Sequence, residues 1–206
     1  NCHSGFDIPR LQITAPIVEN KFITFGSFNN YNKINDRVIK VWSKILKKVK
    51  NSKLILKSSN ATFRSAMVEK FRKYDVLNSI EFLSFKGNFE DHLNQYKKID
   101  IALDTFPYNG VTTSFEAIWM GVPVLTMKGF NYNSRSGESI NKNLNLRELI
   151  AENENDYINI AVSLEKNVKK LQKIRNVVFD NALSSPLFDQ KKFSNQFFKS
   201  LEKIYN

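Results

Sequence analysis

Beyond the first twenty residues, short β-branched and aromatic runs alternate with stretches whose apolar residues recur every three or four positions. The runs at 22–28, 54–56, 80–83, 99–103 and 122–126 are too short for helices and rich in Ile, Val, Leu and Phe, so they read as strands. After the first run, Asp36 reads as a helix cap, with Val38, Ile39, Trp42, Ile45 and Leu46 spaced along one face. Further helical patterns fall around 66–74 and 89–96, from Thr112 onward, and at 134–142, 154–164, 168–180 and 190–205. Such alternation predicts an α/β fold: a Rossmann-like, doubly wound parallel sheet covered on both faces, closed by C-terminal helices. Residues 1–20 carry Pro9 and Pro16 with little periodicity and read as a linker leading into one domain over 21–206. In the last helix Phe193, Phe197, Leu201 and Ile204 share one face, a stripe expected to lack part of its partner surface.

Composition narrows the class. Hydrophobic residues make up 42% of the 206, enough to build a core and to exclude global disorder. The formal net charge of +11 invites a nucleic-acid reading, but the lysines are scattered along helical faces (Lys40, Lys44, Lys47; Lys166, Lys169, Lys173). Scattered lysines make a solvated surface, so no nucleic-acid partner is expected, and the charge reads better as a field for a small anionic ligand. The single Cys2 excludes an internal disulfide framework. No apolar run reaches transmembrane length and no signal-peptide pattern occurs, so no membrane partner and a cytoplasmic location are expected. The chain begins at Asn1 rather than Met and is expected to be a piece of something longer.

In an open doubly wound sheet, ligands sit beyond the strands' carboxyl ends, where strand order reverses. For a Rossmann order that point lies between the first and fourth strands, and the two most polar loops follow those strands: 29–33 and 104–113. Gly110 permits a tight turn there. Thr112 and Thr113 then open a helix whose free N–H groups and dipole suit a phosphate, or they merely cap it. Glu116, one turn on, reads either as an acceptor for ribose hydroxyls or as an ordinary first-turn acid. Lys33 is a compact cation for a diphosphate, or a surface lysine. His92 is a structural residue or a partner of the nucleotide. The stretch 152–156, rich in carboxylates, reads as a solvated face. Metal-ligand spacing, a Walker loop and a G-x-G-x-x-G fingerprint are all missing from the sequence, so no metal or other cofactor is expected.

Several motifs, taken in order, carry a resemblance. They are Phe25-Gly26-Ser27-Phe28-Asn29-Asn30-Tyr31-Asn32-Lys33, Asp100 through Gly110, Thr112 through Val124, Ser134-Arg135-Ser136-Gly137 and Ser185-Pro186-Leu187-Phe188. Together they closely resemble the O-GlcNAc transferase and SPINDLY family from about Phe22 to Tyr205. That resemblance implies the C-terminal, donor-binding half of a GT-B glycosyltransferase, metal-independent and inverting. It also implies transfer to Ser or Thr hydroxyls of an acceptor protein, with an N-terminal half and tetratricopeptide repeats elsewhere in the parent. The implied donor is UDP-GlcNAc, with GDP-fucose the SPINDLY-like alternative; the alternative from another class is a non-catalytic interaction or nucleic-acid-binding domain. On this chain, Lys33 is the implied catalytic residue, holding the diphosphate leaving group. Thr112 and Thr113 take the β-phosphate, Glu116 the ribose hydroxyls, and His92 sits over the nucleotide, with Asn30 and Gly110 completing the binding set. The sequence departs from the family at Asn30, Val111 and Gln95, the last standing where some members have an arginine. Without an N-terminal half, the 206 residues alone are expected to be inactive.

Overall fold

A computed structural model describes residues 14–84 and 87–205. Six parallel strands form one sheet in the order β3-β2-β1-β4-β5-β6. They are β1 (Thr24–Ser27), β2 (Lys53–Lys57), β3 (Ile80–Leu83), β4 (Ile101–Leu103), β5 (Val124–Met127) and β6 (Ile150–Ala151). Strands β1 and β5 are buried at every position, which a sheet covered on both faces requires. Five of the six match the runs read from sequence; β6, two residues long, is an addition.

The connections supply the cover: α2 (Asp36–Lys48), α3 (Ala61–Arg72), α4 (Phe89–Asn94), α5 (Thr112–Trp119), α6 (Ser136–Asn143), α7 (Glu154–Lys166) and α8 (Val168–Ser184). Asparagines start several of them. The cap of α2 is Asn35, whose side chain accepts from Val38 N, rather than the expected Asp36. Asn60 likewise caps α3, which starts several residues before the expected 66. Trp42 and Ile45 of α2, Phe115 of α5 and Tyr157 of α7 are fully or almost fully buried, so the apolar stripes read from sequence do face the core.

Where the sequence reads a linker over 1–20, residues 1–13, Cys2 included, lie outside the described residues, while Pro16–Asn20 form a short helix, α1. Pro16 sits at its start, where a missing N–H is harmless. Ile17 is buried, and its N–H donates to Asp100 Oδ1 at 2.9 Å. Helix α9 (Gln190–Tyr205) is the opposite case, with no buried residue. Phe193 and Phe197 are each 51% exposed and Ile204 78%, while Leu201 is half-buried, so most of the predicted stripe faces outward among the described residues. Among the described residues no helix is long and apolar enough to cross a membrane.

Candidate functional site

Strand order reverses between β1 and β4, so the crevice at their carboxyl ends is flanked by the two polar loops read from sequence. A cavity of about 620 Å³ lies at the opposite end of the sheet against Thr24 and Lys53. Strand direction rather than volume locates the site.

A buried carboxylate organises the crevice. Asp104, just past β4, is 1% exposed; its Oδ1 accepts from Thr105 N at 2.9 Å, Gly110 N at 2.7 Å and Asn29 Nδ2 at 3.3 Å. Its Oδ2 accepts from Thr126 Oγ1 at 2.8 Å. Burial pushes its carboxyl up to about 6, against the pull of these donors. Helix α6 begins directly above it: a Cβ on Gly137 would stand 2.8 Å from Asp104 Oδ2, so only glycine lets the helix approach.

The β1 loop is tied to this carboxylate through Asn29. Its Oδ1 accepts from Thr113 Oγ1 at 2.6 Å. Asn30 is exposed, and its side chain accepts from Asn32 N, capping the short turn Tyr31–Lys33. The asparagine that joins the crevice network is therefore its neighbour. Lys33 reaches across the crevice: its Nζ donates to Asn109 O at 2.9 Å and lies 4.1 Å from the centre of the Tyr108 ring. Partial burial lowers the Lys33 pKa, and Asp104 opposes that shift. Asn109, fully buried, also donates from Nδ2 to Thr105 O, accepts at Oδ1 from Gly137 N, and bonds through its own N–H to Asn133 O. It thus fastens together the loops that follow β1, β4 and β5.

Helix α5 starts on the same loop. Val111 holds the cap position and no side chain caps the helix. The two threonines do not play the capping role that the sequence leaves open: Thr113 is committed to Asn29, and the Thr112 side chain caps nothing. Gly110 is packed so closely that an added Cβ would lie 2.7 Å from Thr113 Oγ1. The result is an uncapped helix N-terminus beside Lys33, an arrangement suited to an anion.

On the β2 side a second network forms. Glu116 Oε2 meets His92 Nε2 at 2.9 Å and accepts from Tyr96 OH at 2.8 Å. Lys57, at the end of β2, is hydrogen-bonded to His92 Nδ1. Burial lowers the Lys57 ammonium to about 8, with Glu116 opposing. Next to α4, Gln95 is buried, and its amide donates to Ser84 O at 3.3 Å. The sequence reading brings Lys33, Gly110, Thr112, Thr113, Glu116 and His92 to this edge; Asn29, Lys57, Tyr96, Asp104 and Asn109 are additions.

A parallel sheet that reverses at a polar crevice, with helices on both faces, defines a Rossmann-like α/β domain. The chain belongs to glycosyl transferase family 41, whose model it matches over residues 10–197. It is 38% identical over 186 residues to the probable UDP-N-acetylglucosamine–peptide N-acetylglucosaminyltransferase SPINDLY of Eustoma exaltatum subsp. russellianum, covering 87% of this chain and 20% of that protein. The chain thus spans about a fifth of the length of the curated relatives it matches. Among solved structures it resembles a mutant of Thermobaculum terrenum O-GlcNAc transferase, with TM-score 0.85 and 29% identity, covering 96% of this chain and 37% of that one. The C-terminal domain of a group 1 family glycosyl transferase from Francisella tularensis shares the fold at TM-score 0.62 and 15% identity, covering 85% of this chain and 93% of that one. The Rossmann-like domain of a GT-B glycosyltransferase and the family expected from the motifs both hold.

Proposed function

We propose that this chain binds the nucleotide-sugar donor of a protein O-glycosyltransferase, UDP-GlcNAc by preference. The observation that carries the reading is the uncapped start of α5, bonded through Thr113 to Asn29, with Lys33 anchored on the same loop at Asn109. In that arrangement the first-turn N–H groups and the Thr112 hydroxyl take the β-phosphate, and Lys33 exchanges a backbone carbonyl for a phosphate oxygen. Glu116 accepts the ribose hydroxyls and His92 lies beside the nucleotide. An acceptor Ser or Thr hydroxyl attacks the anomeric carbon, the glycosidic bond to the diphosphate breaks, and negative charge grows on the departing diphosphate. Fixed donors aimed at that charge lower the barrier, because they need no reorganisation as it forms. The names of the sequence relatives favour uridine over guanosine.

Transfer needs an acceptor held over this crevice, and we assign that task to a further GT-B half in the cytoplasmic parent protein, with tetratricopeptide repeats guiding the acceptor. The 206 residues then bind donor without transferring sugar; robust transfer to peptides by the purified chain would overturn this division of labour.

A thermal-shift panel of UDP, GDP, ADP, their sugars and an oligonucleotide tests the donor reading. A ligand at a hundred times its Kd stabilises by about 2.7 kcal/mol, an easily read shift. UDP and UDP-GlcNAc should lead; a lead by GDP-fucose reassigns the base and sugar, and a response to the oligonucleotide alone removes the reading.

A further inference from the structure

The network beside β2 contains a lysine that binding a diphosphate does not explain. Lys57 is 4% exposed; it bonds to His92 and faces the Phe28 ring, with its Nζ 5.7 Å from the ring centre. Burying a cation at a strand end is costly, and an apolar residue there would avoid the cost. What the ammonium does offer is three donors and no acceptor. We propose that Lys57 is a positioning residue, which locks His92 in the tautomer with its proton on Nε2 and so fixes Glu116 as the acceptor for a ribose. This inference rests on the donor-binding reading above.

The logic is one of hydrogen-bond polarity. Because the ammonium can only donate, His92 Nδ1 must present its lone pair to Lys57. A neutral imidazole then carries its single proton on Nε2, which donates to Glu116 Oε2 at 2.9 Å. The other tautomer would set an N–H against the ammonium at one end and a lone pair against a carboxylate at the other. A doubly protonated ring would also point an N–H at Lys57. With Tyr96 OH donating to the same oxygen at 2.8 Å, Oε2 is satisfied by two donors. The side chain is thereby held in one rotamer, and its other oxygen, Oε1, is left to meet ligand hydroxyls. The lock works while Lys57 is protonated, the dominant state at pH 7 for an ammonium titrating at about 8.

Only two histidines, His3 and His92, are present, so a His3→Gln background isolates the His92 signal. Long-range proton–nitrogen correlation on the ¹⁵N-histidine-labelled chain at pH 7, without ligand, reports which ring nitrogen is protonated. The proton should sit on Nε2 in the parent and in Lys57→Arg, whose guanidinium is also a pure donor. In Lys57→Met the Nε2 proton still faces Glu116, but nothing then opposes a second proton on Nδ1, so Nδ1 should show protonation that the parent lacks. Calorimetry with UDP and its 2′-deoxy analogue then reads the purpose: Lys57→Met should lose about tenfold for UDP and far less for the analogue, with Lys57→Arg restoring most of the difference. A parent chain protonated on Nδ1 overturns the proposal, and so does an Nδ1 that stays unprotonated in Lys57→Met. Equal losses for UDP and the analogue overturn the link to ribose. A parent with the Nε2 proton in place but no affinity for UDP upholds the lock and defeats the donor reading instead.

Discussion

The substitution Asp104→Asn removes a charge from the centre of the crevice while keeping its shape. The introduced amide retains one oxygen for Thr105 N, Gly110 N and Asn29 Nδ2, and its NH₂ group faces Thr126 Oγ1, a hydroxyl that can turn round to accept. At pH 7 the variant, a neutral isostere of the protonated acid, should therefore be more stable than the parent by up to about 3 kcal/mol, give or take about 1 kcal/mol for the exchanged hydrogen bond. That margin depends on pH. Burial raises the Asp104 carboxyl from 3.8 to about 6, so the folded state takes up a proton that the unfolded chain does not bind until lower pH. Stability from this group is absent above about pH 7 and grows as pH falls through about 6. At about 1.36 kcal/mol per unit it approaches about 3 kcal/mol below the unfolded value, and stands at about 2 kcal/mol by about pH 4.5. The variant has no such proton, and the other carboxylates are common to both chains, so they cancel in the difference. Urea titrations of the two chains between about pH 7 and about pH 4.5 should show the parent gaining on the variant by about 2 kcal/mol. A flat difference would refute the burial argument. A loss of several kcal/mol at pH 7 would mean that the negative charge itself holds the loops.

Other expectations follow from the same contacts. Lys33→Ala should weaken UDP about tenfold or more while sparing uridine, as expected for a charge-assisted contact; equal losses by calorimetry would remove Lys33 from the diphosphate. Glu116→Gln should fold normally and lose preference for ribose over deoxyribose; an unchanged preference returns Glu116 to the role of a helix residue. Gly110→Ala should lower both the melting temperature and UDP affinity, because its Cβ would press on Thr113 and break that residue's bond to Asn29; a silent substitution would contradict the close packing. Phe197→Ser should change stability by less than about 1 kcal/mol, since the ring is half exposed, while reducing any concentration-dependent association seen by light scattering. A strict monomer that loses several kcal/mol on this change would show the α9 stripe to be core.

The sheet was legible because parallel strands buried on both faces must be continuously apolar, as 54–56 and 122–126 largely are. Strand β6 escaped for the converse reason: Ile150–Ala151 is too short to carry a pattern and exists because β5 offers it an edge to pair with. Helix α1 looked like linker because Pro16 signals a break as readily as a first helical turn, and only the pairing of Ile17 with Asp100 reveals which. The crevice loops were visible as polar interruptions after the first and fourth strands. Which asparagine turns inward was not, since Asn29 and Asn30 are chemically identical and differ only in strand phase. Asp104 and Lys57 share one cause of invisibility: each looks like an ordinary polar residue ending a strand, and only tertiary packing shows that it is buried.

Asn109, which fastens three loops, has an evolutionary consequence. Substitutions among Lys33, Asn109 and the start of α6 alter one another's context, so their effects should be strongly non-additive, and that half of the crevice can change only in concert. Lys57, His92, Glu116 and Tyr96 bond among themselves, and the two groups meet through α5 and the contact of Tyr96 OH with Thr113 O. Each group should therefore change largely as a unit, with coupling between the two confined to α5 and the Tyr96–Thr113 contact.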